Sequence, residues 1–534
     1  MTTRPTGKVT LPAHRTVLAV VRNGASAVRI LEVIRLLDND HRLTVRMTLG
    51  PHSRYDHGVE QLLHDERIRL LPWEMATALA FDLILSGSAH ACLRELTGPV
   101  VLFPHGAGHH KRPPFATDGE QVFELTEEQL LHDGVPIAAR HLLPGKDSMD
   151  RLVRDCPAAA EQAVVAGDPL AQQLRSNAIL REAYRADLGL RPEQRLIVVS
   201  STWGPGSLAA RALGLVTRLV AELPIDEYRV AAIFHHNVTI HDGHRELERI
   251  LRAAIDSGLI LVPPHVAWQS TVVASDALIG DHGSTTFYAA DVVPVAMAAH
   301  DRQECPADSP MTALIDTVPH INPDGPLRPQ IDALLTGPRP DVTTIVGSSI
   351  EHRVDAAAAY RSTMYELMNL DEPATPAFLA VDRPPAPVST PTAFLVDATV
   401  DGTEITVARY PAATAAGHPG RYLVVRTDDL DPRRAQTATA LVATSAKPDL
   451  TALLHRFPGA RIAVKPTDSG AIAIQSHDGT RLVATATQPD DPDLAALVAA
   501  VLPALIDTGR PIEDIPVTIV CGSARIAVRF ALSA

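Results

Sequence analysis

The chain has 534 residues, 46% of them hydrophobic and 21% charged, with a formal net charge of -14. At about 150 residues per domain this length allows three or four domains. The acidic balance repels nucleic acid and anionic lipid, and no run of Lys or Arg supplies a basic patch. No apolar run approaches the roughly 20 residues that span a bilayer. The opening MTTRPTGKVTLPAHR holds no apolar signal segment, and Val17 to Val21 is too short for one. A cytoplasmic protein is therefore expected, with no transmembrane segment and no nucleic-acid partner. Cys92, Cys156, Cys305 and Cys521 lie far apart, so four reduced thiols are expected rather than a disulfide framework or a zinc ribbon.

Strand-like and helix-like runs alternate from the start: TVLAVV (16 to 21), the helical SAVRILEVIRLL, then RLTVRMTL, FDLILSGS (81 to 88) and VVLFPHG (100 to 106). This alternation predicts parallel βαβ units. A second series opens at EQAVVAGDP (161 to 169), passes through the periodic QQLRSNAILREAYRADLGL, and continues with RLIVVSST (195 to 202), RVAAIFHH (229 to 236), LILVPP (259 to 264) and DALIGDH (276 to 282). The fold class predicted is α/β, with two tandem Rossmann-like domains at 14 to 155 and 160 to 370. The helical EHRVDAAAAYRSTMYELMNL (351 to 370) ends the second range and is expected to close the domain pair. A proline-rich linker follows at 371 to 392.

The remainder, 393 to 534, has a different pattern. FLVDATVDGTEITVARY and AIAIQSHDGTRLVATAT each place Asp-Gly between alternating runs, a hairpin signal, and TIVCGSARIAVRF resembles a third hairpin. With a helix at DPDLAALVAAVLPALID (491 to 507), these residues predict a compact C-terminal α+β domain without a catalytic constellation. Residues 1 to 370 are expected to fold without it.

In open α/β sheets ligands bind beyond the carboxyl ends of the strands. The polar residues at those ends are Asn23, Gly24 and Ser26, Ser86 to Ser88, and His105 with Gly106 in the first unit. In the second they are Gly167 and Asp168, Ser200 to Trp203, His235 and His236, and Asp281 to Thr285. GPGSLA (204 to 209) fits a dinucleotide fingerprint, but the next strand ends in His235 and His236 rather than in an acid for the ribose, which argues against NAD. His105, His109 and His110 are close in sequence, as are His235, His236, His241 and His244. No H-E-x-x-H occurs, and polar surface loops without a metal are the expected reading.

These segments carry a resemblance. VVLFPHGAGHHK, VVAGDP with LREAYRADLGL, IVVSSTW, AAIFHH and LIGDHGSTTFYAAD resemble, in order and spacing over about residues 95 to 300, the CDP-glycerol glycerophosphotransferase family of teichoic acid polymerase type. The sequence departs from that family's pattern at three points: Lys111 stands one residue farther from His105, Gly204 replaces an arginine, and His282-Gly283 interrupts an Asp-aromatic-Ser-Ser run. The resemblance implies a GT-B architecture and a transferase that moves a glycerophosphate, polyol-phosphate or sugar unit from a CDP- or UDP-linked nucleotide-diphosphate donor to a hydroxyl acceptor.

The residues themselves agree with such a donor. Ser284, Thr285 and Thr286 at a helix N-terminus offer donors to phosphate oxygens, Gly283 permits close backbone approach, and Asp281 orients His282 or binds a ribose hydroxyl. Ser201 and Thr202 complete the expected donor side. His105 is the expected general base, and His235 or His236 the group that meets the phosphate or protonates the leaving group. Asn23, Gly24, Gly106 and Lys111 are expected elsewhere in the cleft. No metal and no cofactor is expected, and homo-oligomerisation is left open. Two alternatives remain: a non-catalytic GT-B-like binding or assembly protein, and an enzyme resembling the UDP-sugar 2-epimerases.

Overall fold

A computed structural model describes residues 14–533 except 52–58, 114–118, 241–242, 264–265, 353–354, 378, 380, 386–388, 415–421, 489–490, 492 and 514–515. Strand β1 (Arg15–Val21) shows why the first sheet forms. Val17, Ala19 and Val21 face one core while Leu18 alternates into another, and all four side chains are fully buried. A continuous apolar run of this kind suits a strand covered on both faces. Beside it lie β2 (Leu43–Leu49), β3 (Leu83–Ser86), β4 (Val100–Leu102), β5 (Arg140–Leu143) and β6 (Ala163–Val165), all parallel, in the order β2-β1-β3-β4-β5-β6. Helix α1 (Gly24–Ile34) follows β1, and α2 (Pro169–Ser176) follows β6.

The second sheet is built the same way. In β7 (Arg195–Ser201), Leu196 and Val198 face one core and Ile197 and Val199 the opposite one. With β8 (Tyr228–Phe234), β9 (Ile260–Val262), β10 (Ala277–Gly280) and β11 (Val295–Met297) it gives a parallel sheet in the order β9-β8-β7-β10-β11. The helices used below are α3 (Leu208–Ala212), α4 (Trp268–Ala274) and α5 (Ser284–Ala290).

Two assignments made from sequence need correction. Ala163–Val165 does not open the second unit: it pairs in parallel with β5 as the sixth strand of the first sheet. Its alternation resembles that of the strands after it, and only pairing decides which sheet it joins. Helix α6 (Ala356–Leu367) is likewise not part of the second unit, because Ala357, Tyr360, Met364 and Tyr365 sit in the first sheet's core with Val17 and Leu85. The chain thus crosses to the second sheet and returns.

The proline-rich stretch is a strap rather than a free spacer. Leu379 is buried in the first core and its carbonyl accepts from Gln173, Asp382 pairs with Arg35 at 3.0 Å, and Arg383 pairs with Asp187 at 2.6 Å.

The C-terminal part is a closed barrel made of β12 (Ala393–Asp401), β13 (Glu404–Pro411), β14 (Tyr422–Arg426), β15 (Ala440–Val442), β16 (Ile462–Pro466), β17 (Ile472–Ser476), β18 (Arg481–Ala486), β19 (Pro516–Cys521) and β20 (Ala524–Leu532). The three expected hairpins are present, with Gly402, Gly479 and Gly522 at positive φ in their turns. Helix α7 (Leu494–Asp507) is apolar on every side and shares one core with the inward residues of the strands, as such a helix must.

The barrel is tied to the second unit. Arg409 on β13 and Asp226, which precedes β8, form an ion pair at 2.6 Å with both side chains almost fully buried. The expected independence of residues 1 to 370 is revised accordingly. Among the described residues no helix is long and apolar enough to cross a membrane.

Candidate functional site

In each sheet the strand order reverses beside the first strand, and crevices open at such switch points. The carboxyl ends of the two sheets face a common cleft of about 620 Å³. Its lining includes Asn23, His105, Gly106 and Lys111 from the first unit, and Ser201, Thr202, His235, His236, Gly283, Ser284 and Thr285 from the second.

On the first side, Asn23 caps α1. Its Oδ1 accepts from Ser26 N at 2.8 Å, and Ser26 Oγ accepts from Asn23 N at 3.0 Å, a reciprocal capping box that fixes where the helix starts. Ser86 Oγ is spent on Ser88 O, which leaves Gly87 O to face His105. His105 Nδ1 lies 3.2 Å from Gly87 O and 3.3 Å from Glu124 Oε2, which fixes the proton on Nδ1 and leaves Nε2 with a lone pair. Burial disfavours the charged ring, but the buried Glu124 carboxylate outweighs it and the His105 pKa is raised. Glu124 itself has φ of 73°, a left-handed conformation unusual for a glutamate.

On the second side, Asp281 is a lock between loops rather than a ligand for a ribose. Fully buried, it accepts from the backbone N–H of Thr202, Leu208 and Gly283 and from Ser201 Oγ, at 2.8 to 3.1 Å. Ser201 Oγ is further engaged with Thr202 O and Ala209 N. The G-x-G-x-x-A turn does join strand β7 to helix α3, as the pattern requires. Gly283 has φ of -84°, so its role is spatial: a Cβ there would stand 3.0 Å from Thr202 Cβ. Thr286 does not reach the cleft, since its buried side chain packs over Gly280. Ser284 and Thr285 do, and Gly106 lets the two sides touch: a Cβ on it would lie 2.5 Å from Ser284 Oγ.

The paired histidines stack, with ring centroids 4.1 Å apart, and Trp203 lies 6.2 Å from His235. His235 Nδ1 accepts from Asn237 N at 3.1 Å, and burial, joined by the charges of His236 and Lys111, holds its pKa well below the usual value. His235 is therefore a neutral donor through Nε2. Gly24 does not line the cleft; it lies under the His236 ring.

His109 and His110 are largely buried side chains in the wall of the cleft. His109 Nδ1 meets Ser148 Oγ at 2.9 Å, His110 Nε2 meets Ala107 O at 2.7 Å, and burial pushes the His110 pKa down to about 4. His241 lies outside the described residues, and His244 is exposed. Among the described residues no group of three His, Cys, Asp or Glu is placed to hold a metal ion.

Several cleft residues escaped the sequence reading. Glu124 and Glu304 stand in loops without a motif. Arg29 is fully buried and paired with Asp168 at 2.9 Å, and Tyr288 donates to the same carboxylate at 2.7 Å. Glu32 accepts from Gln269 Nε2 at 2.6 Å across the two units, and withdrawal from water raises its pKa to about 7 against the pull of Arg29 and that hydrogen bond. The one available signal was helical spacing: Ala25, Val28, Arg29 and Glu32 fall at i, i+3, i+4 and i+7 on the α1 face that lines the cleft.

No family model matches the sequence, and no curated protein matches it. The two parallel sheets across a cleft form a GT-B-like arrangement. Among solved structures, the fold is similar to Staphylococcus aureus MnaA with UDP: 13% identity, 68% of this chain and 100% of that one, TM-score 0.42. It is also similar to the wall teichoic acid polymerase TagF, at 12% identity over 67% and 89% of the chains, TM-score 0.44. A third is the UDP-GlcNAc 2-epimerase from Neisseria meningitidis bound to UDP-GlcNAc, at 14% identity over 66% and 100%, TM-score 0.43. A teichoic acid polymerase, the type that the sequence motifs resemble, is thus among the folds similar to this one.

Proposed function

We propose that the chain is a transferase that moves a glycerophosphate, polyol-phosphate or sugar unit from a CDP- or UDP-linked donor to a hydroxyl acceptor. The observation that carries this reading is His105: a strand-end imidazole whose Nδ1 is held by Glu124 and Gly87 O while the ring lines the cleft. Such an imidazole takes the acceptor hydroxyl proton on Nε2. The acceptor oxygen forms the new bond to the donor phosphorus or anomeric carbon. The bond to the nucleotide phosphate oxygen breaks, and its electron pair leaves with the nucleotide. Lys111, neutral His235 and the Ser284 and Thr285 hydroxyls surround the space for the departing phosphate.

The test is nucleotide release from CDP-glycerol and from UDP-linked sugars with a panel of hydroxyl acceptors, alongside calorimetry with CDP and UDP. Binding followed by release supports the transferase. Binding without release across the panel favours a nucleotide-binding protein, and absence of binding removes the reading.

A further inference from the structure

Three cations line the cleft, and their partners differ in how easily they are displaced. Arg29 is locked by Asp168, with both side chains at 1% exposure or less. Arg112 donates to the carbonyls of Gln303 and Cys305, each at 2.7 Å, and to that of Arg302 at 3.3 Å. Lys111 differs: its Nζ meets Glu304 Oε2 at 3.0 Å, with 38% and 31% of the two side chains exposed. The same oxygen stands 3.0 Å from His282 Nε2. His282 Nδ1 accepts from Asp301 N, so Nε2 carries the proton and donates.

Two donors from opposite sides of the cleft therefore converge on one carboxylate oxygen, beside Gly283 and Ser284. This is the donor pattern that a non-bridging phosphate oxygen takes. We propose that Lys111 and His282 form a phosphate subsite, which the chain's own Glu304 carboxylate fills as an internal stand-in, and that the pyrophosphate group of a nucleoside diphosphate displaces it. The inference rests on the proposed nucleotide reading and adds which residues take the phosphate and which residue competes with it.

Charge decides the competition. Glu304 offers one negative charge on a partly exposed side chain. A pyrophosphate brings more charge and more acceptor oxygens to the same donors. Burial opposes ionisation of Glu304, yet the His282 hydrogen bond and the Lys111 charge outweigh it and hold its pKa down to about 2, so the carboxylate competes throughout the neutral range. The loop that carries Glu304 stays anchored when the carboxylate leaves, because Arg112 holds the backbone around it: Glu304 O accepts from Arg112 N at 2.9 Å.

The experiment is calorimetry of inorganic pyrophosphate, CDP and UDP with the wild type, Glu304→Gln and Glu304→Gln/Lys111→Met, with folding checked by thermal melts. Glu304→Gln should bind pyrophosphate, and CDP or UDP, at least about tenfold more tightly than the wild type, and Lys111→Met should abolish the gain. Should Glu304→Gln fail to fold, Glu304→Asp, which withdraws the carboxylate by one methylene, should tighten binding by a smaller factor. A folded Glu304 variant that binds these ligands no better than the wild type, or not at all, overturns the inference. If the wild type nevertheless binds and releases nucleotide, only the Glu304 inference falls. Tighter binding without turnover leaves the subsite standing and removes the transferase.

Discussion

The His236 ring occupies the space that a side chain on Gly24 would need: a Cβ built there would fall 2.1 Å from His236 Cδ2. Helix α1 of the first unit thus begins directly beneath a histidine of the second, and the two units meet with no room for one methyl group. Gly24→Ala should displace the ring while α1 persists, because alanine suits a helix better than glycine. Because the His236 ring lies 4.1 Å from that of His235, its displacement should shift His235 as well, and kcat/KM for donor turnover should fall at least about tenfold with Tm changed by only a few degrees. Undiminished turnover by Gly24→Ala would mean that the position of the His236 ring is immaterial.

His105→Ala should lower turnover by at least about 10²-fold, the usual contribution of a positioned base. CDP or UDP binding should be largely kept if, as proposed, the second unit supplies most of the donor side. The two substitutions at the paired histidines should separate: the one facing the phosphates weakens donor binding together with rate, and the other does little. Equal turnover by the wild type and His105→Ala removes His105 from the mechanism.

Glu124→Gln tests the carboxylate behind that base through its pH profile. Glu124 raises the His105 pKa against burial, so the neutral, basic ring is populated only above that raised value. Removing the charge lowers the pKa, and the acidic limb of kcat/KM should move to lower pH, with a reduced plateau because the ring is less firmly oriented. A limb that stays in place would assign the pH dependence to another group, with Glu32 the first candidate.

Asp281→Asn should act on the fold of the donor side rather than on charge at the ligand. An amide cannot accept at its nitrogen, so at least one of the backbone N–H groups of Thr202, Leu208 and Gly283 loses its partner in a fully buried setting. The expected loss is about 1 to 3 kcal/mol, read in denaturant melts, and hydrogen exchange should rise in the 201–208 and 281–284 loops. Unchanged exchange there would contradict the lock.

The Asp226–Arg409 pair sets the consequence of removing the barrel. Burial raises the Asp226 pKa, but Arg409 outweighs it and brings it down to about 2. The folded value is depressed, so this stabilisation is present above the unfolded carboxylate pKa near 4 and is lost as pH falls from about 4 to about 2. Arg409→Leu leaves the buried Asp226 carboxylate with the partly exposed Arg191 as its remaining cation, at 3.1 Å, and should cost up to about 3 to 5 kcal/mol. Adding Asp226→Asn should restore part of that loss. A chain ended at residue 392, which keeps the strap and lacks the barrel, should aggregate or melt earlier than the full chain, and one as stable as the full chain would make the barrel a mere appendage.

What could be read from sequence was what repeats locally. The buried strands of both sheets declare themselves as unbroken apolar runs, the barrel hairpins through Asp-Gly, and the cleft residues His105, His235, His236 and Ser284 through their place just after a strand. These signals span a few residues and arise from backbone sterics and side-chain burial, which any short segment carries with it.

Only the tertiary structure decided what depends on distant partners. Val164 reads alike as a strand of either sheet, and pairing with β5 settled it; Tyr360 reads as any helical tyrosine until it meets Phe103 at 5.8 Å. Asp281 looked like a ligand because it ends a strand, yet three amides from two loops consume it. Glu124 and Glu304 carried no pattern at all, since a carboxylate acquires its role from the imidazole or ammonium that the fold brings to it. The sequence by itself therefore determined the two α/β units, the hairpins and the strand-end positions of the site. The fold alone decided which of those polar groups are spent on holding loops and which still face the cleft, because hydrogen-bond satisfaction is settled between residues that meet only after folding.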